Sequence, residues 1–265
     1  MFVCYIIFET IFMINIFKAS LTEKKQLTAD VFLFSFDLIN PDKIEFEAGQ
    51  YLILKVNNQP RLYSIFSSEE NKKSVQLLVK IIPDGVASTY LTNLKSGDQV
   101  EFQGPAGAFK LQQNRRDKIF LATFTGLAPL YSMITSCLKM EKKLTQPKLY
   151  LFWGLRHFSD ICLLDELKQL SINNQQFKFF ICLSRETDLS KIKDENKKYF
   201  KLGRINHVWQ KFNSQLIKQC SNVTMKQFIN NFDYYLCASR DVVESLKQYL
   251  IEKGIAKENI FSEKF

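Results

Sequence analysis

A cation, an aromatic ring and a hydroxyl stand close together in Arg61-Leu62-Tyr63-Ser64. A strand-like run from Val75 to Ile82 follows, and then a small-residue turn, Gly85-Val86-Ala87-Ser88. On a strand, Arg61 and Tyr63 point to one face. Tyr63 offers a flat surface to a ring, and Arg61 offers a planar fork of donors that matches a diphosphate. Ser64 lies beside them at the ring edge. The turn opens a short helix, whose first N–H groups lack intrahelical acceptors and so form an anion site. Together these residues can hold a flat ring at one end and a diphosphate at the other.

A second set lies downstream. Thr125-Gly126-Leu127-Ala128-Pro129 comes directly after an apolar strand, Lys118 to Ala122. A loop of this kind lets a dinucleotide diphosphate approach the backbone at a helix N-terminus, with Pro129 in the first helical turn. Phe124, beside this loop, narrows the diphosphate site or replaces it with a hydrophobic wall. Ser184 and Arg185 follow another apolar run, and an arginine fork suits a phosphate. Cys237 lies at the C-terminal end of a further apolar strand, where ligands gather in open α/β sheets.

The elements that must position these residues are of two kinds. Residues 14 to about 113 read as β, with strand formers at 31–36, 51–56, 75–82 and 99–102. Turn residues separate them at Asn57-Asn58-Gln59-Pro60, Pro83-Asp84-Gly85 and Ser96-Gly97-Asp98. One helical piece, Ser88 to Leu94, interrupts a closed antiparallel barrel. After residue 117 the pattern alternates: strands at 118–122, 149–153, 177–183 and 234–237, and helices at 128–140, 161–170, 210–219 and 241–253. Such alternation predicts a parallel sheet covered on both faces. The boundary is expected near residues 110–117. That divides the chain into an apolar extension at 1–12, a β domain at 13–113 and an α/β domain at 114–265.

Composition agrees with a globular protein. Of 265 residues, 46% are hydrophobic and 24% charged. The net charge of +9 is spread over dispersed lysines and reads as a solvated surface, with no nucleic-acid module in view. Six cysteines without paired spacing give no zinc, iron–sulfur or disulfide pattern, and point to a reducing cytoplasm. Met1 to Phe17 is mostly apolar but lacks a basic leader, and it is shorter than the ~20 residues that span a bilayer. A peripheral anchor at residues 1–17 and a true start at Met13 both remain open, and a soluble protein is expected.

Further pieces extend the first set: Ala48-Gly49-Gln50-Tyr51 before it, Lys80 at the end of the next strand, Leu94-Lys95-Ser96-Gly97-Asp98, and Gly104-Pro105-Ala106-Gly107-Ala108-Phe109. In this order and spacing the segment resembles the FAD domain of the ferredoxin–NADP⁺ reductase family. The resemblance implies a six-stranded antiparallel barrel and a parallel nucleotide-binding domain. It implies that Arg61, Leu62, Tyr63 and Ser64 hold the flavin ring and its phosphates, that Leu78 and Lys80 line the ribityl chain, and that Gly85, Val86, Ala87 and Ser88 hold the diphosphate. FAD is favoured over FMN by that last turn.

The second half resembles the family's NAD(P)H domain. Thr125, Gly126 and Pro129 match its glycine-rich loop, although Thr123 and Phe124 stand where two glycines normally precede the threonine. Phe152-Trp153-Gly154-Leu155-Arg156 resembles its second strand, which brings Arg156 to the nucleotide. By the same resemblance Ser184 and Arg185 accept a 2′-phosphate, which favours NADPH and leaves NADH open. Tyr235-Leu236-Cys237-Ala238-Ser239 is similar to its cysteine–glycine motif, with alanine for glycine. The closing Ile260-Phe261-Ser262-Glu263-Lys264-Phe265 resembles the family's glutamate followed two residues later by an aromatic. By that resemblance Ser64, Cys237 and Glu263 polarise the hydride-transfer site, and Phe265 covers the ring until nicotinamide displaces it. The ending resembles reductase components of bacterial oxygenases more than plant-type reductases, and within the family the chain is most like those components and NAD(P)H-flavin reductases.

The expected activity is hydride transfer from NAD(P)H to FAD, and then electron transfer to an acceptor such as ferredoxin, an oxygenase component or free flavin. No ferredoxin-type cysteine cluster flanks the two domains, so an iron–sulfur partner is expected as a separate chain. The alternative is a flavin-binding subunit or interaction module without nicotinamide turnover, a reading that Thr123, Phe124 and Ala238 motivate.

Overall fold

The computed structural model describes residues 15–139, 146–217 and 224–265. The expected extension at residues 1–12 lies outside the described residues. The first half forms β1 (Ile16–Gln26), β2 (Val31–Asn40), β3 (Tyr51–Val56), β4 (Gln59–Ser64), β5 (Ser74–Lys80), helix α1 (Val86–Asn93) and β6 (Gln99–Ala106). They make one six-stranded sheet in the order β4-β3-β6-β1-β2-β5, antiparallel throughout. Its edges meet only at a bridge between Ile65 and Leu77, so it is a half-barrel rather than the closed barrel expected. The outer edge of β4 is thereby left available to a site.

Strand parity explains why β2 and β5 read as nearly unbroken apolar runs. Phe34, Phe36, Leu77 and Val79 fill the half-barrel, with Phe102 edge-on to Phe36. Val31, Leu33 and Leu78 lie on the opposite face and join the core of the second half. Both faces are therefore buried near the junction. The expected turn at 57–60 is shorter than predicted. Only Asn57 and Asn58 turn, both with φ near +50° to +60°, as a two-residue hairpin requires, and Gln59-Pro60 already belong to β4.

The second half comprises β7 (Asp117–Thr123), α2 (Leu127–Lys139), β8 (Leu149–Leu155), α3 (Leu164–Asn173), β9 (Phe177–Leu183), β10 (Phe200–Leu202), α4 (Ile205–Ile217), α5 (Met225–Ile229), β11 (Phe232–Ala238), α6 (Arg240–Glu252) and β12 (Ile260–Lys264). The sheet is parallel, in the order β10-β9-β8-β7-β11-β12. Phe120, Ala122, Leu151, Trp153, Tyr235 and Cys237 face the half-barrel side, where α2 and α3 pack. Ile119, Leu121, Phe152 and Leu236 face away, under α4 and α6. The edge strands β10 and β12 went unpredicted because each is short and carries lysines rather than an apolar run. The helix expected from residue 161 begins at Leu164, because Leu163 adopts a left-handed φ of 55° that breaks the path.

α2 cements the two halves. The Phe66 and Tyr131 rings stack at 4.1 Å, and the Ser132 hydroxyl donates to the Ser67 carbonyl at 2.7 Å. The connecting segment is clasped at the opposite end of the sheet. Asp233, 3% exposed, accepts from Arg116 Nε at 2.6 Å and Asn114 Nδ2 at 2.8 Å, with buried Lys118 Nζ 3.6 Å away. Asp233→Ala leaves that lysine uncompensated, and urea denaturation is expected to show a loss of about 3 kcal/mol.

Candidate active site

A cleft of about 280 Å³ opens where the edge of the half-barrel meets the C-terminal ends of the parallel strands. Leu62, Tyr63, Ser64, Leu78 and Lys80 line it from the half-barrel, and Thr125, Gly126, Cys237, Glu263 and Phe265 from the α/β half. Residues separated by more than two hundred positions thus share one wall-to-wall space. Tyr51, Val79, Ile82, Ala128 and Lys264 also line it. None of these five was assigned a site role from sequence. Only their neighbourhood to assigned residues marked them.

Each wall follows from register. Tyr63 pairs with Leu52 across the β3–β4 hairpin, so its ring packs partly against the half-barrel core while its edge reaches the cleft. Burial pushes its phenol upward in pKa, against the pull of Arg61. The Arg61 guanidinium is exposed and donates to its own hairpin, to the Pro60 carbonyl at 2.9 Å and Gln59 Oε1 at 2.8 Å. Leu78 and Lys80 share the outer face of β5.

On the other wall, β7 ends at Thr123 and a tight turn, residues 124–126, leads into α2. Gly126 admits no side chain: a Cβ there would lie 2.2 Å from the Cys237 carbonyl oxygen and 3.1 Å from the Phe265 ring. The turn therefore rests directly on the end of β11. Phe124, just before it, has φ of 47°, a left-handed conformation that is strained for a bulky residue.

β12 pairs in parallel with β11, placing Glu263 opposite Cys237 on the half-barrel side of the sheet. Ser64 Oγ donates to Glu263 Oε2 at 3.4 Å across the cleft. Burial pushes the Glu263 carboxyl up to about 7, and the Ser64 bond offsets part of that. Burial, with Glu263 nearby, also drives the Cys237 thiol upward, so it stays protonated at neutral pH.

Several expected site residues lie outside the cleft lining: Arg61, Gly85 to Ser88, Pro129, Arg156, Ser184 and Arg185. Gly85–Ser88 begin α1 just beyond Ile82. The first intrahelical bond runs from Thr89 N–H to the Gly85 carbonyl, so the N–H groups of Val86, Ala87 and Ser88 precede the ladder. Ser88 Oγ accepts from Ile82 N–H at 2.9 Å, which shapes the turn and leaves its proton to donate. Arg156, Ser184 and Arg185 lie at the ends of β8 and β9. The Ser184 hydroxyl donates to the Leu155 carbonyl at 3.2 Å, and Arg185 is exposed. Asp160 caps the Arg156 and His157 N–H groups, and Glu186 accepts from Phe158 N–H at 3.0 Å. Pro129 is buried in the first turn of α2.

The donor set suits a flavin and a pyridine dinucleotide. It joins an aromatic edge, a guanidinium, free helix-start N–H groups and a glycine cradle that a Cβ would fill. Comparison with known proteins agrees. The oxidoreductase FAD-binding domain family matches residues 18–111, and the oxidoreductase NAD-binding domain family matches residues 120–243. The chain belongs to the ferredoxin–NADP⁺ reductase-type flavoproteins that bind FAD and NAD(P)H.

Among curated relatives, the toluate 1,2-dioxygenase electron transfer component of Pseudomonas putida is 28% identical over 94% of this chain and 67% of that protein. The anthranilate 1,2-dioxygenase electron transfer component of Acinetobacter baylyi is 29% identical over 84% and 59% respectively. NADH-cytochrome b5 reductase 1 of Dictyostelium discoideum is 33% identical over 63% of this chain and 60% of that protein. The chain thus spans some three-fifths to two-thirds of these relatives. Among solved structures, an Amycolatopsis cytochrome P450 reductase superposes with a TM-score of 0.78 at 23% identity, over 95% of this chain and 70% of that one. A Neisseria gonorrhoeae ferredoxin NADP⁺ reductase with bound FAD and NADP gives 0.73 at 20% identity, over 94% and 98%. Both share the fold.

The raised Glu263 pKa has a sign that can be tested. A folded-state value of about 7 against 4.5 unfolded favours the proton-bound fold. Stability is therefore unpenalised below about pH 4.5 and falls as pH rises through 7. Glu263→Gln removes that slope. In the flavin-free chain its stability relative to wild type is expected to improve by roughly 2 kcal/mol between pH 5 and pH 8 in parallel denaturant titrations.

Proposed function

We propose that this chain is an electron-transfer reductase that takes hydride from NAD(P)H at the cleft and passes electrons to a separate acceptor. The observation that carries the reading is the meeting of Ser64, Cys237 and Glu263, from two sheets, in one cleft beside Tyr63. When bound, FAD supplies a hydride acceptor that can release electrons singly.

The chain's own residues do the positioning. Tyr63 and Leu62 present apolar surface to the ring, and Leu78 and Lys80 continue that wall. Arg61 turns from its hairpin carbonyl to a diphosphate, whose charge makes the stronger bond. The Val86–Ser88 N–H groups hold the same anion. Ser64 offers its hydroxyl as a hydrogen-bond partner at the ring edge, turning it from Glu263. Glu263, titrating near 7, can accept or donate a hydrogen bond at neutral pH without fixing a full negative charge in the cleft. Cys237 stays a thiol and supplies shape rather than a nucleophile. Phe265, 62% exposed and bonded through its N–H to the Ala238 carbonyl, covers the cleft beside the Gly126 turn and swings aside for a ligand.

On the far side, the Thr125–Pro129 turn receives a dinucleotide, with Arg156, Ser184 and Arg185 toward its adenosine end. The family matches on either side of residues 111 and 120 support dividing the chain at residues 113 and 114. The acceptor class is supported by two relatives whose names describe electron transfer components of dioxygenases. A reducing cytoplasm suits the buried, free Cys137, Cys162, Cys182 and Cys237. Among the described residues, no helix is long and apolar enough to cross a membrane.

The decisive test is anaerobic stopped-flow mixing of the purified yellow holoprotein with NADH and with NADPH. Bleaching of the flavin band is the expected result. A colourless, cofactor-supplemented protein sinks the reading, and an unchanged spectrum with both nucleotides leaves only a flavin-binding module. Within the same assay, Arg185→Ala is expected to raise the half-saturating NADPH concentration about tenfold while leaving NADH nearly unaffected.

A further inference from the structure

Phe124, like Leu163, occupies a backbone conformation that glycine would adopt without strain. Phe124 has φ of 47°, and its carbonyl is pinned by the Trp153 indole N–H at 2.9 Å. The residue is held in place, and its ring points between two cations from opposite halves of the molecule. Lys80 Nζ lies 4.9 Å from the ring centroid and the Arg156 guanidinium carbon 5.4 Å. Both distances fall within the range of cation–π attraction. Lys80 has a second partner, Asp30 Oδ2 at 3.1 Å, which anchors it to the half-barrel. Arg156 is exposed and lies against the ring.

The ring also borders a seam. Beneath it is a pocket of about 10 Å³ between the β1–β2 turn and the ends of β7 and β8, lined by Asp30, Leu78, Thr125, Trp153 and Cys162. That is room for about one water. Ring, lysine and arginine stand at the start of the Thr125–Pro129 turn, beside the cleft that Lys80 and Thr125 line.

We propose that Phe124 is an aromatic gate for the pyridine dinucleotide: it parks Arg156 on its ring, and a dinucleotide phosphate binds by taking that arginine off. The inference rests on the reductase reading and adds to it a residue that sets nucleotide affinity. A phosphate wins the exchange because a bidentate charge-assisted bond outweighs an exposed cation–π contact. The exchange still has a cost, since the parked arginine must first leave. Lys80 stays with Asp30, so the gate opens on the Arg156 side.

The test is calorimetric titration of oxidised holoprotein with NAD⁺ and NADP⁺. Phe124→Gly removes the ring and suits the left-handed backbone, and its dissociation constant is expected to fall about threefold. Phe124→Leu keeps bulk without a π face, shifts the constant in the same direction, and carries the test should the glycine variant fold poorly. Phe124→Trp restores a ring and is expected to return wild-type affinity. Unchanged or weaker binding by the glycine or leucine variants overturns the gate, as does a tryptophan variant that behaves like leucine. Wild-type flavin that bleaches normally beside such a result removes the gate and leaves the reductase reading intact. Flavin that fails to bleach removes the reductase reading, and the titration then decides the gate alone: tighter binding by the glycine variant upholds it, and no binding by any form ends it.

Discussion

The contact on which the site depends is backbone against backbone. The Gly126 turn lies so close to the Cys237 carbonyl that not even a methyl group fits between them. That approach fixes the start of α2 relative to the end of β11. Parallel pairing then carries the geometry one strand outward: β12 sits beside β11, and parity turns Cys237, Glu263 and Phe265 to the same side. The half-barrel edge is brought to meet them because α2 is also the helix that packs against it, through Phe66 and Tyr131 and the Ser132 bond. One helix and its preceding turn thus align both walls of the cleft.

The apolar core continues without a break from Leu33 and Leu78 in the half-barrel to Leu127 and Trp153 in the α/β half. A large hydrophobic junction of this kind resists relative motion of the halves. Movement during binding therefore falls to side chains at the rim. Arg61, Phe265 and Arg156 are exposed, and the two arginines are held by local contacts that a charged ligand can replace. Burial is arranged in the opposite way at the centre. Cys237 and Glu263 are shielded from water, which raises both pKa values and keeps fixed negative charge low inside the cleft.

Much of this was legible in the chain. The motif Arg61 to Ser64, the turn at Gly85, the loop at Gly126 and the strand end at Cys237 are all local patterns, and local patterns survive reading in one dimension. The change from β-rich to alternating composition near residue 113 was equally plain, since side-chain period differs between the two architectures. Edge strands were not. β10 and β12 are short and lysine-bearing, and what makes them strands is a neighbour with unpaired backbone groups. The same holds for the open edge of the half-barrel and for the shortened turn at Asn57-Asn58.

The amino-acid order by itself determined which chemistries the chain carries and on which kind of element each one rides, because those follow from residue type and period. Only the folded molecule decided that Ser64 reaches Glu263, that Arg61 rests on its own hairpin, and that Phe124 stands between Lys80 and Arg156. Those relations join residues far apart in the chain through packing of separate sheets, and distance across a core is set by volume and register rather than by sequence neighbours.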